Sequence, residues 1–217
     1  MNITNEDNME LMARYPDKYF DLAIVDPPYG IDRFQKNVEC KGRKRFNNKI
    51  NEWDKKPNQK YFRELFRVSK NQIIWGANHF WCVDNFYSLP NCSHFIFWDK
   101  LQPVSNFAGG EMAWTSFNGV ATKFQYAWGG LSDGILGRNK TEKNIHPTQK
   151  PVKLYEWLLD NYAKEGDKIL DTHLGSGSIA IACHNRKFDL TACELDKEYF
   201  DAAMKRIEAH KRQLTIF

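Results

Sequence analysis

Asp171-Thr172-His173-Leu174-Gly175-Ser176-Gly177-Ser178 follows a short apolar run and leads into a segment with helical periodicity. Strand, glycine turn and helix in this order are typical of a nucleotide-binding turn. Gly175 and Gly177 let the backbone approach a ligand closely, and the start of the helix offers unpaired N–H groups. The residues of this turn that we expect to bind a ligand are Asp171, Thr172, His173, Gly175, Ser176, Gly177 and Ser178.

The residues around this turn favour one kind of ligand. Glu194 ends the next predicted strand, from which an acidic side chain accepts hydrogen bonds from ribose hydroxyls. Ser-Ile-Ala follows Gly177, so the third glycine of a dinucleotide site is missing, and a Gly-Lys-Ser/Thr phosphate loop is absent. Asp171 would repel a diphosphate but can hold an ammonium group. These features favour S-adenosyl-L-methionine, which has an adenosine, an ammonium and no phosphate; a purely structural glycine turn is the alternative.

Asp26-Pro27-Pro28-Tyr29 forms a second motif, directly after the apolar run 22–25. The two prolines have no N–H, so the motif presents carbonyl oxygens and a carboxylate, a set of acceptors suited to holding an amine. Its place at the end of a predicted buried strand is where open α/β sheets bind ligands. The alternative is an ordinary turn, which Asp-Pro-Pro also favours.

Strand and helix patterns alternate along the chain, which predicts an α/β fold with a mostly parallel sheet and helices on both faces. The predicted helices are 59–69, 76–85, 152–163, 177–185 and 197–211. The predicted strands are 20–25, 72–75, 94–98, 111–117, 122–128, 168–170 and 189–193. Asn118-Gly119 is a hairpin signal, so we expect strands 111–117 and 122–128 to pair in antiparallel fashion at one edge of the sheet.

The composition is that of an ordinary globular protein, with 42% hydrophobic and 27% charged residues among 217. We expect one domain over 1–217. The sequence shows neither a signal peptide nor an apolar run long enough to span a membrane, which predicts a cytoplasmic protein without membrane contact. The five cysteines lack a Cys-x-x-Cys pair and the six histidines lack metal spacing, so we expect free thiols and no metal.

Positive charge is concentrated between Arg33 and Lys60, where ten basic and three acidic residues give a local net charge of +7, against +4 for the whole chain. Such a segment directly after Tyr29 predicts contact with nucleic acid, although a solvated loop is the alternative. The residues that we expect to contact nucleic acid are Arg33, Lys36, Lys41, Arg43, Lys44 and Arg45.

In this order the two motifs resemble those of DNA amino-methyltransferases of the permuted β class, in which Asp-Pro-Pro-Tyr precedes the cofactor turn. The resemblance covers almost the whole chain and includes Trp98-Asp99-Lys100 and His146-Pro147-Thr148-Gln149-Lys150-Pro151. It implies a Rossmann-like fold of S-adenosylmethionine-dependent methyltransferases, with a mostly parallel seven-stranded sheet and an antiparallel edge strand.

The resemblance also assigns roles to residues outside the two motifs. It implies that Asp7 contacts the adenine of the cofactor, whereas the residues alone suggest a helix N-cap. Thr148 and Lys150 are implied to line the methionine end of the pocket; the alternative is a proline-bounded helix start capped by Thr148. His173 stands where these families commonly have phenylalanine, which makes the expected pocket more polar.

The expected reaction follows from the acceptors at Asp26. The carboxylate and the Pro27 carbonyl accept the two N–H bonds of an exocyclic amine, and Tyr29 stacks on a base flipped out of the DNA duplex. In the families that the chain resembles, Asp at the first motif position usually goes with adenine, so the resemblance implies adenine N6 first and cytosine N4 second. A methyltransferase acting on RNA or protein amides, and a catalytically silent DNA-binding subunit, are further alternatives.

A separate recognition domain is not expected. We predict a basic DNA-contacting loop at 31–60 and a minimal target-recognition region at about 103–145. With so small a region, the sequence predicts a short target, low specificity, or a homodimer whose second subunit supplies contacts.

Overall fold

The computed structural model describes residues 1–30, 55–80, 82–83, 86–87, 89–101, 108–128, 145–146 and 148–213. Its helices are α1 Asn8–Ala13, α2 Gln59–Val68, α3 Ala77–Phe80, α4 Val152–Tyr162, α5 Ser178–Arg186 and α6 Lys197–Gln213. Its strands are β1 Asn2–Asn5, β2 Phe20–Val25, β3 Ser69–Trp75, β4 Cys82–Val83, β5 Phe86–Tyr87, β6 Phe95–Asp99, β7 Gly110–Thr115, β8 Thr122–Gln125, β9 Lys168–Asp171 and β10 Asp189–Glu194. Within these residues, every helix falls short of the length and apolar character needed to cross a membrane.

Eight of the strands form one sheet in the order β1-β10-β9-β2-β3-β7-β6-β8, while β4 and β5 form a small antiparallel pair. Neighbours from β1 to β3 are parallel, and β6 is parallel to β8. β7 runs antiparallel to both of its neighbours, β3 and β6. The predicted α/β class with a mostly parallel sheet is confirmed. The sheet has eight strands rather than seven, and its antiparallel strand lies inside the sheet rather than at the edge.

The predicted hairpin between the strands that flank Asn118-Gly119 is wrong. The chain does reverse there, but β6 lies between β7 and β8, and Thr122 pairs in register with Ile96 of β6. The Thr122 hydroxyl oxygen lies 3.2 Å from His94 Nε2 and 3.0 Å from the Tyr162 hydroxyl oxygen. These contacts and the β6–β8 ladder hold β8 on the far side of β6. A local turn signal carries no information about such distant partners.

Alternate residues of β2 pack into two different cores, because successive side chains of a strand point to opposite faces. Leu22 and Ile24 join the cluster that contains α4 and α5, whereas Ala23 and Val25 join the cluster that contains α1 and α2. All four are almost completely buried. The apolar run before Asp26 is therefore explained by a strand covered on both faces, and the predicted helices on both faces are confirmed.

The two motifs meet where the connections of the sheet change direction. β9 continues through α5 to β10 on one side, and β2 continues through α2 to β3 on the other. β2 and β9 are themselves neighbours, with Leu22 opposite Ile169 and Ala23 opposite Leu170. Open parallel sheets bind ligands in the crevice at such a switch point. The fold thus brings the segments after Val25 and after Leu170 to the same edge of the sheet, where such a crevice is expected.

Truncation of Ile24 tests the central position of β2. We expect Ile24→Ala to lower the free energy of unfolding by about 2–5 kcal/mol, because it leaves a cavity in a fully buried site. Val120 is 80% exposed, so Val120→Ala should change the free energy by less than about 0.5 kcal/mol. Urea unfolding of both variants measures the difference, and equal effects would contradict the assignment of β2 to the core.

Candidate active site

The Asp26 carboxylate at the end of β2 has a partner on each oxygen. The Tyr29 hydroxyl donates to Oδ1 at 2.6 Å, and Lys150 Nζ donates to Oδ2 at 2.5 Å. Lys150 Nζ also lies 3.4 Å from the Tyr29 hydroxyl oxygen. Burial raises the pKa of the Tyr29 hydroxyl well above its ordinary value, so the hydroxyl stays protonated and donates. The structure thus brings Lys150 into one cluster with Asp26 and Tyr29, although Lys150 lies 124 residues after Asp26 in the sequence.

Tyr29 is held from the side of β3 and α3. Its ring stacks on His79 with 4.9 Å between centroids and 15° between planes, and Phe80 approaches it edge-on. Gly76 lies against the same ring with φ +71°, and a Cβ there would come within 2.2 Å of the Tyr29 ring. Gly76 is therefore needed both for its backbone conformation and for the space that the ring fills. The Tyr29 ring is fixed in position by these contacts before any ligand binds.

Lys150 is a buried ammonium between two carboxylates. Its side chain is 2% exposed, and Nζ lies 2.5 Å from Asp26 Oδ2 and 2.9 Å from Glu111 Oε2. Glu111 also pairs with Lys100 through Oε1. Burial would lower the pKa of Lys150, but the two carboxylates outweigh burial and raise it. The ammonium therefore stays charged.

Glu111 and Lys100 complete the cluster and were missed as site residues in the sequence. Burial favours a higher pKa for Glu111, but Lys150 and Lys100 outweigh it and lower the pKa to about 2. Glu111 lies opposite Trp98 in the β6–β7 ladder and shares a face of β7 with the buried Ala113. A glutamate on the buried face of a predicted strand was the signal that could have revealed it.

Asp171 ends β9 as a buried carboxyl, 2% exposed. Its Oδ1 accepts a hydrogen bond from the His173 backbone N–H at 3.0 Å. Burial raises the pKa of Asp171 to about 8; the His173 bond opposes this, and the nearby Asp26 and Glu194 charges reinforce it. A cationic ligand would stabilise the ionised form of such a buried carboxyl. The position is therefore suited to binding a cation.

The glycine turn is held by Glu194. Gly175 N donates to Glu194 Oε2 at 2.8 Å, and Asp196 N donates to Oε1 at 3.0 Å. Gly175 and Gly177 have φ of +53° and +74°, the left-handed region that favours glycine, and a Cβ on Gly177 would come 3.0 Å from Ile207. The predicted glycine turn before a helix is present, and Glu194 lies beside it as the spacing indicated.

Ser176 and Ser178 use their hydroxyls to hold the turn. The two oxygens lie 3.0 Å apart, and Ser178 donates to the Lys150 carbonyl at 2.7 Å. Arg206 donates to the Ser176 carbonyl at 2.8 Å. Both serines are buried. Their hydroxyls therefore connect the glycine turn to the segment that carries Lys150.

His173 lies in a partly buried polar network. Its Nε2 is 3.1 Å from Asn8 Nδ2, its Nδ1 is 2.9 Å from Thr172 Oγ1, and Thr172 Oγ1 is 2.7 Å from the Tyr61 hydroxyl. Burial lowers the pKa of His173 to about 3, so the ring is neutral. Asp7 precedes this network and accepts a hydrogen bond from Met9 N at 2.7 Å as the N-cap of α1. The N-cap interpretation is confirmed, and contact of Asp7 with a cofactor adenine stays a prediction.

Thr148 does not cap α4. Its N–H and hydroxyl both lie near His146 Nδ1, at 3.3 and 3.1 Å, and its side chain is exposed. The N-cap of α4 is Pro151, which makes no side-chain capping bond. The proline-bounded helix start is confirmed, whereas capping by Thr148 is wrong, because His146 takes its hydroxyl.

Arg33, Lys36, Lys41, Arg43, Lys44 and Arg45 lie outside the described residues, so the basic loop stays a prediction. The described part of the region 103–145 contains β7 and β8, which are built into the main sheet. Among the residues that the structure describes, there is no group of three or more His, Cys, Asp or Glu side chains arranged to hold a metal ion.

Solved structures define the class of fold. The crystal structure of the M1.HpyAVI–S-adenosylmethionine complex matches with a TM-score of 0.56 and 20% identity, over 95% of this chain and 98% of that one. The cytosine-N4-specific PvuII DNA methyltransferase matches with a TM-score of 0.57 and 12% identity, over 97% of this chain and 91% of that one. The fold is that of the S-adenosylmethionine-dependent methyltransferases.

Sequence comparison defines the family within that class. Type II methyltransferase M.HinfI of Haemophilus influenzae is 24% identical, over 96% of this chain and 68% of its own length. Type II methyltransferase M2.DpnII of Streptococcus pneumoniae is 25% identical, over 96% of this chain and 90% of its own length. A family profile described as DNA methylase, of the N6/N4 type, matches residues 74–205. The chain belongs to this family of DNA methyltransferases.

A glycine replacement tests the packing of Tyr29. Gly76→Ala combines backbone strain with overlap of the ring, whereas Gly166→Ala at φ +88° brings strain alone, because nothing lies within 4 Å of the added Cβ. We expect Gly76→Ala to lower the free energy of unfolding by about 1–3 kcal/mol more than Gly166→Ala. Urea unfolding of both variants measures this difference; equal losses would show that Gly76 serves backbone geometry only.

Proposed function

We propose that the protein transfers a methyl group from S-adenosyl-L-methionine to the exocyclic N6 amine of adenine in DNA. The observation that carries this proposal is the pair of acidic centres on neighbouring strands. Asp26 directly follows β2 and is followed by the two prolines with their carbonyls, and Asp171 ends β9 beside the glycine turn. One centre suits an amine that must be oriented, and the other suits an amino-acid cation next to an adenosine.

The residues of the second centre fit S-adenosyl-L-methionine. The Asp171 carboxyl, buried and with its pKa raised to about 8, would hold the ammonium of the methionine part. Glu194 beside the turn would accept the ribose hydroxyls, and the Gly175 and Gly177 backbone would lie against the cofactor. Asp7, Thr148, Lys150, Thr172, His173, Ser176 and Ser178 surround these positions in the proposed site. When bound, the cofactor supplies a methyl group on a sulfonium that leaves as a neutral thioether.

Asp26 and the Pro27 carbonyl would orient the target amine. Each carboxylate oxygen has two lone-pair positions, so Asp26 can accept an amine N–H while it keeps one of its present partners. Two accepted N–H bonds favour a nitrogen whose lone pair points outward toward the methyl group. The nitrogen lone pair would form the new bond to the methyl group, and the departing thioether would keep the electron pair of the sulfur–methyl bond. The methylated nitrogen then loses one proton to Asp26, which releases it to solvent.

The target is DNA with the base flipped out of the duplex, because the amine is otherwise buried between base pairs. Tyr29 would stack on the flipped base. The basic residues of the 31–60 loop would neutralise phosphates, and the region at about 103–145 would read the bases. The small size of that region favours a short target, low specificity, or a homodimer whose second subunit supplies contacts.

Adenine is our first choice of base because Asp occupies the first position of the tetrapeptide. Cytosine N4 is the second candidate, since both amines present the same two donors and the PvuII enzyme with this fold is cytosine-N4-specific. Incubation with isotope-labelled S-adenosyl-L-methionine and unmethylated DNA, followed by nucleoside mass spectrometry, separates the two. We expect the label in N6-methyladenine. Label confined to N4-methylcytosine would identify cytosine as the target base, and label in RNA or protein alone would overturn the proposal.

Replacement of Asp26 tests the catalytic centre. We expect Asp26→Asn to lower kcat by at least about 10²-fold while cofactor affinity, measured by calorimetry, changes little, because the amine loses its charged acceptor. Asp21→Asn provides the matched control, since Asp21 lies in the same strand and pairs with Lys70 away from the crevice. Full activity in Asp26→Asn would refute the assignment and favour a different acceptor.

Proton release tests Asp171. With its pKa near 8, Asp171 is mostly protonated at pH 7 in the free protein, and a bound ammonium would require its ionised form. Cofactor binding at pH 7 should therefore release close to one proton, and affinity should rise as pH increases from about 6 toward 8. Calorimetry in two buffers of different ionisation enthalpy measures the release. Asp171→Asn should abolish it, whereas Asp201→Asn on the exposed part of α6 should keep it.

A further inference from the structure

Four side chains of alternating charge form a continuous row in the site: Lys100, Glu111, Lys150 and Asp26. Glu111 Oε1 pairs with Lys100, Glu111 Oε2 is 2.9 Å from Lys150 Nζ, and Lys150 Nζ is 2.5 Å from Asp26 Oδ2. Their side chains are 16%, 24%, 2% and 16% exposed, respectively. The row joins the segments just after β6 and β2 to β7 and to the segment before α4.

The Lys150 ammonium therefore has two carboxylate partners at similar distance. An ammonium this deeply buried must keep at least one ion-pair partner, because an unpaired buried charge is strongly destabilising. If Asp26 were its only partner, Lys150 would compete directly with an amine for the Asp26 oxygens. Glu111 removes this conflict, because the ammonium can stay on Glu111 while Asp26 accepts the amine.

We propose that Glu111 is a positioning residue for methyl transfer, which retains Lys150 when the target amine binds Asp26, and that Lys100 holds Glu111 in place for this role. The proposal rests on the proposed function of Asp26. The exchange involves ion pairs only: Lys150 keeps its three protons, its contact with Asp26 lengthens and its contact with Glu111 shortens.

The position of Glu111 also affects when Asp26 is ionised. The charged and titratable groups facing Asp26 come from several elements and are Lys150, Tyr29, Glu111, Asp171, Tyr155 and Tyr61. Burial is the main cause of the raised pKa of Asp26, Lys150 opposes it, and the negative Glu111 adds to it. A neutral residue at 111 should lower the pKa of Asp26, whereas loss of Lys100 should raise it.

Two substitutions are therefore expected to shift the pH dependence of kcat in opposite directions. In Glu111→Gln, we expect the plateau kcat to fall about tenfold because Lys150 stays on Asp26, and the acid limb of the kcat–pH profile to move down by about one pH unit. In Lys100→Met, the acid limb should move to higher pH. The plateau kcat should fall much less than in Glu111→Gln, because Glu111 can still pair with Lys150. Glu156→Gln is the control, since Glu156 is buried and ion-paired but bonds to Asn185 at the far end of α5.

A measurement without turnover completes the test. Carbon-13 NMR titration of the Asp26 carboxyl, assigned with Asp26→Asn, should give a lower pKa in Glu111→Gln and a higher one in Lys100→Met than in the unmodified protein. If Glu111→Gln fails to fold, the predicted rise of the Asp26 pKa in Lys100→Met still tests the proposal. Unchanged titration and pH profiles in the folded variants would overturn the positioning role. Activity that survives Asp26→Asn would instead refute the proposed function, so the two failures are distinguishable.

Discussion

The ion pairs of Lys150 are the constraint on which the site depends. A single ammonium, 2% exposed, is shared by Asp26 at the end of β2 and Glu111 on β7. Removing one partner of a buried ion pair typically costs about 3–5 kcal/mol, because the remaining charge cannot regain its hydration. Strands β2 and β7 and the segment before α4 must therefore come together for the charges to be satisfied. The arrangement that orders the site is also a condition for folding this part of the sheet.

The glycine turn is ordered by the same segment. Ser178 donates to the Lys150 carbonyl, while Glu194 accepts the backbone N–H of Gly175. The turn after β9 and the cluster after β2 are thus connected through Lys150 as well as through the parallel pairing of the two strands. This connection fixes the position of the Asp26 and Asp171 centres, which we propose for the two reactants, relative to each other. Positioning of that kind can supply about 7–11 kcal/mol of barrier reduction.

Local sequence signals predicted the parts of the fold in which a strand or helix determines its own neighbours. The apolar run of β2 is continuous because both of its faces are covered, and the glycine turn before α5 follows from the positive φ values at Gly175 and Gly177. Both motifs could therefore be placed at strand ends. The amphipathic stripe of α2 and the long α6 were likewise predictable.

Long-range choices could not be predicted in this way. β1 has the mostly polar sequence Asn-Ile-Thr-Asn and is a strand because it pairs with β10. β8 lies beside β6 instead of β7, in a parallel ladder to which Thr122 adds contacts with His94 and Tyr162. Glu111 joins the site only because β7 runs antiparallel next to β3, which places its buried face toward Lys150. Each of these depends on partners distant in the sequence.

The central claim is that Asp26 accepts the amine that becomes methylated, while Lys150 remains paired within the protein. A crystal structure with S-adenosylhomocysteine and DNA containing the unmethylated target site tests it most directly. Our account predicts a flipped base whose exocyclic nitrogen lies within hydrogen-bond distance of the Asp26 carboxylate and the Pro27 carbonyl, with Lys150 Nζ on Glu111. A flipped base whose amine contacts neither Asp26 nor Pro27 would contradict the account.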